Sequence, residues 1–190
     1  MERVNDLKNV REHIDYPHLK EGRKAFNNMF DRTLYNPDYA DVSIGEGFSK
    51  LTLFLDWHEQ NYEEHWQLDK DILNPCSREY SPQNCMYVPP EVNQLFKSTK
   101  PGKYMKGVEA SGKKFKAYCS VEGKKICLGT YPTELEAHKV HMKWRKARLI
   151  ELAEKYKEYE KLSAALLEHA KKNIKKMACG GWNYYRPSIN

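Results

Sequence analysis

Asp69 and Asp71 are the residues of this 190-residue chain best suited to hold a hard cation. They lie two positions apart, and on a β-strand that spacing places both side chains on one face. Carboxylate oxygens are the ligands that Mg²⁺ and other divalent cations prefer. His65 carries the nearest imidazole in sequence and is a candidate general base. In the alternative interpretation the two aspartates cap a turn or form salt bridges and take no part in chemistry.

A second group of candidates lies between residues 100 and 131, where eight lysines accompany two glutamates. Lysines alternate there with aromatic or β-branched residues, and glycines stand at the turns, which predicts short strands. Alternate residues on one face would then reach phosphates. The candidate DNA-binding residues are Lys106, Lys113, Lys114, Lys116, Tyr118, Lys124 and Lys125. A solvated lysine face on an ordinary small sheet is the alternative.

The strands are followed by a helix, which Pro132, Thr133 and Glu134 are expected to open. The residues between the lysines should pack on that helix. They are Phe115, Ala117, Cys119 and Val121 on the strands, facing Leu135, Ala137, His138 and His141 on the helix.

This segment resembles the ethylene-response-factor (Apetala-type) DNA-binding domain. The matching residues are Gly107-Val108, Lys116-Ala117, residues 128–133 and Glu136-Ala137. The resemblance implies a sheet that lies in the major groove of double-stranded DNA, with the helix packed behind it. Plant members carry arginines and tryptophans on the strands, whereas this chain has mostly lysines there. Lysine favours phosphate positioning over bidentate guanine recognition, so we expect binding of modest sequence specificity.

Residues 28–96 resemble the HNH-type endonuclease-like proteins of phages. The matching residues are 66–73, 80–85, Val88-Pro89 and 91–93. The resemblance implies a ββα element around one divalent cation, Mg²⁺ or another, bound by Asp69 and Asp71, and it assigns Asn84 and Asn93 to the site. Lys70 stands where the family has its base histidine. Because a protonated lysine is a poor base and repels a cation, we expect little or no cleavage.

Charge is distributed unevenly along the chain. Residues 1–97 hold 11 Lys/Arg and 17 Asp/Glu, a net charge of −6, and the remainder holds 21 and 9, a net charge of +12, which together give +6. Since a basic surface gains affinity for nucleic acid by releasing counterions, DNA binding should lie in the C-terminal half.

The composition also bears on location. The five cysteines form no CxxC pair, and zinc held by Cys76 and Cys85 would need two further ligands, such as His58 and His65. We therefore expect reduced thiols and a cytoplasmic protein, in the host cytoplasm if it is phage-encoded. No apolar run approaches the roughly 18 residues of a membrane span, so no membrane partner is expected.

The predicted fold class is α+β. An acidic HNH-like module with helices over 20–34 and 46–61 and a ββα element fills residues 1–97, and residues 98–103 link it to the next module. The three-stranded antiparallel sheet and its helix fill 98–147, and a helical extension with an aromatic tail fills 148–190.

The stretch from residue 133 to 177 contains no Pro or Gly, which predicts one helix of up to 45 residues or a helix pair. Its second half carries a heptad-like seam made of Leu152, Tyr156, Tyr159, Ser163, Leu166, Ala170, Asn173 and Met177. The seam either packs within the chain, on the first module, or forms a homodimer through the C-terminal helix.

Three functions stay open from the sequence. The chain is a DNA-binding protein on a degenerate endonuclease scaffold, or an active metal-dependent DNA endonuclease. In the third, its acidic module inhibits or regulates a host protein.

Overall fold

The computed structural model describes residues 3–7, 15–97 and 102–172. The chain divides into two compact units, Met1–Pro90 and Glu91–Asn190. Its class is α+β, as predicted. No described helix is both long and apolar enough to cross a membrane. The aromatic tail lies outside the described residues, as do most of the 98–103 linker and part of the N-terminal segment.

Two helices form the core of the first unit. α1 spans Leu19–Tyr35 and α2 spans Leu51–Asn61, close to the predicted helices. The start of the second prediction is instead a short 3-10 turn at Glu46–Phe48. Phe26, Phe30, Phe48 and Phe54 are fully buried and pack ring against ring at centroid distances of 4.9 to 5.6 Å. This aromatic core is the main apolar contribution to the stability of the unit.

Four very short strands complete the first unit. β1, Ser43–Ile44, pairs in parallel with β3, Glu79–Tyr80. β2, Gln67–Asp69, pairs antiparallel with β4, Met86–Val88. The sequence predicted a ββα element in this unit and missed β1 and β3, because a two-residue strand is too short to show alternation.

The second unit begins with α3, Pro90–Phe96, and contains α4, Glu134–Lys155, and α5, Glu160–Lys171. Glu91 accepts hydrogen bonds from Arg148 Nη2 at 2.6 Å, from the Tyr156 hydroxyl at 2.6 Å and from Lys155 Nζ at 2.5 Å. α3 is therefore bonded to α4, and the boundary falls at Pro90 rather than at Lys97. α4 also continues without a break through the division expected at residue 147.

Three of the seam residues are buried inside a helical hairpin, whereas Tyr159 is 40% exposed. The chain turns between Tyr156 and Tyr159, so a single continuous helix was wrong and the helix pair is confirmed. Leu152, Leu166 and Ala170 are buried where α4 and α5 meet, and Ser163 Oγ donates to the Ala153 carbonyl at 2.9 Å. Asn173 and Met177 lie outside the described residues. Self-association through this segment stays a prediction.

The three-stranded antiparallel sheet has the strand order β5, β6, β7, as predicted. β5 spans Val108–Ser111, β6 spans Lys114–Val121 and β7 spans Lys124–Tyr131. The turn between β6 and β7 has positive φ at both Glu122 and Gly123, which suits the right-handed twist of a hairpin. Thr133 and Glu136 form a reciprocal capping box that starts α4 immediately after β7.

α4 is attached to the sheet by two buried imidazoles. His141 Nδ1 donates to the Tyr118 carbonyl at 2.7 Å, and His138 Nδ1 donates to the Lys106 carbonyl at 2.9 Å. Gly107 packs directly on the His141 ring, where an added Cβ would lie 2.1 Å from it, and its φ of +76° also favours glycine. The His141 ring therefore fits here only because residue 107 has no side chain.

Apolar contacts fill the space around these bonds. Val108, Ala117 and Ala137 are buried together, and Cys119 is buried nearby on β6. Leu135 was expected on this face but is 43% exposed. The expected packing is thus present at most positions, with Leu135 as the exception.

The second unit should lose stability as the pH falls. Burial lowers the pKa of His141 from its ordinary 6.5 to about 4. At pH values between about 4 and 6.5, the unfolded chain binds a proton at His141 that the folded chain does not. The contribution of neutral His141 to stability is therefore fully present above about pH 6.5 and decreases as the pH falls toward 4. We expect a loss of about 2 kcal/mol at pH 5 relative to pH 8, measured by hydrogen exchange of the β6 amides.

Two variants test this assignment. His141→Asn keeps a donor for the Tyr118 carbonyl and does not titrate, so its pH dependence should be flatter, although its stability at pH 8 is lower. His65→Asn removes an exposed imidazole in the other unit and should keep the wild-type dependence. Equal slopes for His141→Asn and the wild type would show that another group is responsible.

Candidate nucleic-acid interface

The lysines of β6 and β7 lie on the side of the sheet opposite α4, called here the outer face. It is defined by Glu109, Lys114, Lys116, Tyr118 and Lys125. The register explains this placement, because the alternating residues Ala117 and Cys119 are buried against the helix side. A bulge between Ala117 and Tyr118 increases the local twist without moving Tyr118 to the other face.

The remaining predicted lysines differ in position. Lys113 lies in the exposed turn after Gly112, and Lys124 is exposed at the start of β7. Lys106 does not belong to the outer face. It precedes β5 in step with the buried Val108, and burial, followed by the charge of Arg145 on α4, lowers its pKa to about 8. Its ammonium is on the helix side of the sheet. The sequence does not indicate this placement, because it depends on where β5 begins.

Three side chains interact across the middle of the outer face. Lys125 Nζ lies 4.0 Å from the centroid of the Tyr118 ring, a cation–π geometry, and forms an ion pair with Glu109 Oε2. The hydrogen bond to Glu109 raises the pKa of Lys125. Lys125 on β7 therefore reaches over Tyr118 on β6 to Glu109 on β5. The sequence pattern does not indicate this contact, because Glu109 and Lys125 are 16 residues apart and on different strands.

The outer face is long enough to meet both sides of a DNA groove. Lys114 stands at the start of β6, and Lys125 is paired with Ser120 near its end. Ser120 is six residue steps along the strand from Lys114, which is roughly 20 Å at the usual rise per residue. The major groove is about 12 Å wide, so lysines at the two ends of β6 can contact phosphates on either edge.

The side chain of Asp69 in the first unit is hydrogen-bonded to the backbone of its own turn. Asp69 Oδ1 accepts hydrogen bonds from the backbone N–H groups of Asp71 at 2.9 Å and Ile72 at 2.7 Å. Burial and then the neighbouring charge of Asp71 raise the pKa of Asp69. Asp69 thus acts as a turn cap, which is the alternative interpretation of this residue.

Lys70 occupies the centre of this cluster. Its side chain is 6% exposed, and its Nζ donates to Asp71 Oδ1 at 2.5 Å. The ammonium also lies 5.8 Å from the Tyr39 ring centroid and 5.9 Å from that of Tyr80. Arg32 hydrogen-bonds the Tyr80 side chain. No pattern in the sequence indicates Arg32 and Tyr39, because they belong to a different part of the chain from 69–71.

The other predicted site residues do not join the aspartates. His65 is 86% exposed and pairs with Glu64 at 3.3 Å. Asn84 Nδ2 donates to the Glu79 carbonyl at 3.4 Å, and Asn93 lies on α3 in the second unit. His58 is fully buried, with Nδ1 2.7 Å from the Tyr87 hydroxyl, and burial lowers its pKa. None of these imidazoles is placed as a base beside Asp69.

A divalent cation does not fit the side chains at this place. One oxygen of Asp69 is taken by two backbone donors, and one oxygen of Asp71 is taken by a buried ammonium. Among the described residues, no group of three or more His, Cys, Asp or Glu side chains could hold a metal ion. Zinc held by Cys76 and Cys85 does not fit either, because Cys76 is disulfide-bonded and has no thiolate to offer. Cys85, Cys119 and Cys127 are free thiols, but Cys76 is disulfide-bonded, so the expectation that the cysteines are all reduced was wrong.

Comparison of the chain with protein-family models, with curated protein sequences and with solved structures found no significant match.

Lys70 should stabilise the first unit. Removing one partner of a buried ion pair leaves the other charge uncompensated, so Lys70→Met should cost about 3 kcal/mol of unfolding free energy. Hydrogen exchange of the β2 and β4 amides measures this loss. Lys24→Met removes the same charge from the exposed face of α1 and should cost less than about 0.5 kcal/mol.

A double variant identifies the cause of that loss. Replacing both partners, in Lys70→Met/Asp71→Leu, removes the unpaired charge and should recover part of the stability. A double variant that is less stable than Lys70→Met would show that packing, rather than charge pairing, is the role of Lys70.

Proposed function

We propose that this chain binds double-stranded DNA through the outer face of the β5–β7 sheet and does not cleave it. The observation that carries the proposal is the arrangement of lysines around one open, twisted sheet. Lys114, Lys116 and Lys125 project from neighbouring strands, and Lys113 and Lys124 extend the positive charge to both turns.

The chemistry of these groups supports phosphate contact. Ammonium groups are compact charges that gain affinity by displacing counterions from the DNA backbone. Tyr118 adds a half-buried ring with a hydroxyl in the centre of the face. The helix side of the same sheet is covered by α4, so the outer face is the side left for a ligand.

The first unit is proposed as a binding scaffold related to HNH nucleases that has lost its base. The pairing of Lys70 with Asp71 supports this, because it puts an ammonium where water activation needs a neutral imidazole. Neither Asp69 nor Asp71 then has a role in catalysis.

A protein partner for the first unit is the second candidate function. Its net charge of −6 favours a basic surface and disfavours DNA. We propose that such a partner would be a host protein and that the chain acts in the cytoplasm. A homodimer through the C-terminal segment remains compatible with both functions.

Removal of the sheet lysines should reduce the salt dependence of DNA binding. In Lys114→Ala/Lys116→Ala/Lys124→Ala/Lys125→Ala, the slope of log affinity against log salt should decrease by roughly one unit for each lost phosphate contact. Fluorescence anisotropy of a labelled duplex, titrated with the full chain at several salt concentrations, measures this slope.

A matched variant replaces four exposed lysines on the helices by alanine, namely Lys139, Lys143, Lys146 and Lys161. It carries the same net charge as the sheet variant. Its slope should stay near the wild-type value, because these side chains are not on the outer face. If both variants lose the same slope, binding depends on net charge alone and the sheet is not the interface.

The full chain should leave plain duplex DNA intact in Mg²⁺ or Mn²⁺. The absence of a base of suitable pKa costs a factor of roughly 10² to 10⁴ in hydrolysis. Lys70→His tests the scaffold, since nicking gained by this variant would identify a nuclease that lost its base. A gel assay of supercoiled plasmid detects single nicks. Cleavage by the wild type that Asp69→Ala and Asp71→Ala abolish would overturn the proposal in favour of an active nuclease.

A further inference from the structure

Glu109 places a carboxylate in the middle of the lysine-rich outer face. It stands directly opposite Lys116 in the β5–β6 register, and its Oε2 pairs with the ammonium of Lys125. A face that contacted only phosphates would be weakened by this carboxylate, because the DNA backbone repels it. Phosphate binding therefore does not explain why the outer face carries a carboxylate at Glu109.

The stability of the sheet does not explain this carboxylate either. The side chains of Lys125 and Glu109 are 50% and 42% exposed, so water and salt screen their attraction. Exposed ion pairs contribute little to folding. An open pair of this kind can also exchange partners readily when another charged surface approaches.

The groups that DNA offers to a carboxylate are few. An ionised carboxylate only accepts hydrogen bonds. In the major groove the donors are the N4 amino group of cytosine and the N6 amino group of adenine, whereas guanine and thymine present acceptors at their edges. Adenine places its N7 acceptor beside the amino group, which disfavours a negative neighbour. Cytosine is therefore the best match for Glu109.

We propose that Glu109 determines the sequence preference of the outer face by accepting a hydrogen bond from the N4 amino group of a cytosine. This inference rests on the proposed function. In the free chain, Lys125 neutralises Glu109 from its position over Tyr118. On DNA, the Lys125 ammonium transfers to a phosphate, and the cytosine amino group replaces it as the partner of the carboxylate. One ion pair is exchanged for another, and one base contact is gained.

The test is selection of binding sites by the full chain from duplexes with randomised central positions. The wild type should enrich cytosine at one position, and changing that base should weaken binding about tenfold. Glu109→Ala should lose the preference at that position only. Glu109→Gln should shift it toward adenine, because an amide both donates and accepts and so matches adenine N7 and N6.

A control variant and two outcomes decide the proposal. Glu122→Gln removes the same charge from the β6–β7 turn and should keep the cytosine preference. The proposal is overturned if Glu109→Ala keeps the wild-type preference. It is also overturned if the wild type has no preference and Glu109→Ala simply binds every duplex more tightly. A wild type that binds no duplex at all would remove the proposed function itself, which these two outcomes leave standing.

Discussion

The second unit depends on the contact between two histidines of α4 and the carbonyl groups of the sheet. His138 and His141 each donate Nδ1–H to a carbonyl at or near the strands, and both rings are almost fully buried. These bonds fix the height and rotation of α4 behind the sheet. Gly107 lies against the His141 ring, where an added Cβ would clash, so the start of β5 is held close to α4. With the helix side filled, Lys114, Lys116 and Tyr118 are left on the outer face.

The first unit contains a buried polar cluster around Lys70. A buried lysine, two aspartates, an arginine and two tyrosines form this cluster. Buried ammonium and carboxylate groups are stable only when each has a partner. Lys70 and Asp71 satisfy this condition for each other, and Asp69 satisfies it with backbone donors. The cluster is therefore complete without a ligand.

Much of the second unit could be predicted from sequence because its signals are local. Alternation over 114–121, turn glycines and the Thr133–Glu136 cap specify strands and a helix within a few residues of one another. The misplaced features depend on distant partners. Lys106 lies near Arg145 of α4, and α3 is joined to α4 by the bond between Glu91 and Arg148. The surroundings of Lys70 include Tyr39, and Arg32 is bonded to the neighbouring Tyr80. No periodicity within a short window carries that information.

The bonds of Glu91 have a consequence for how the two units could be recombined. Its carboxylate joins α3 to three side chains of the helical hairpin, and Phe96 contacts Arg145 and His169 in the same unit. A gene fusion joined after Lys97 would remove Glu91 and Phe96 from those cations and rings, although the sheet and α4 would be intact. A junction just before Pro90 would transfer α3 together with the helical hairpin to which it is bonded. The exchangeable block of this protein is thus longer than the sheet, α4 and α5 by one short helix.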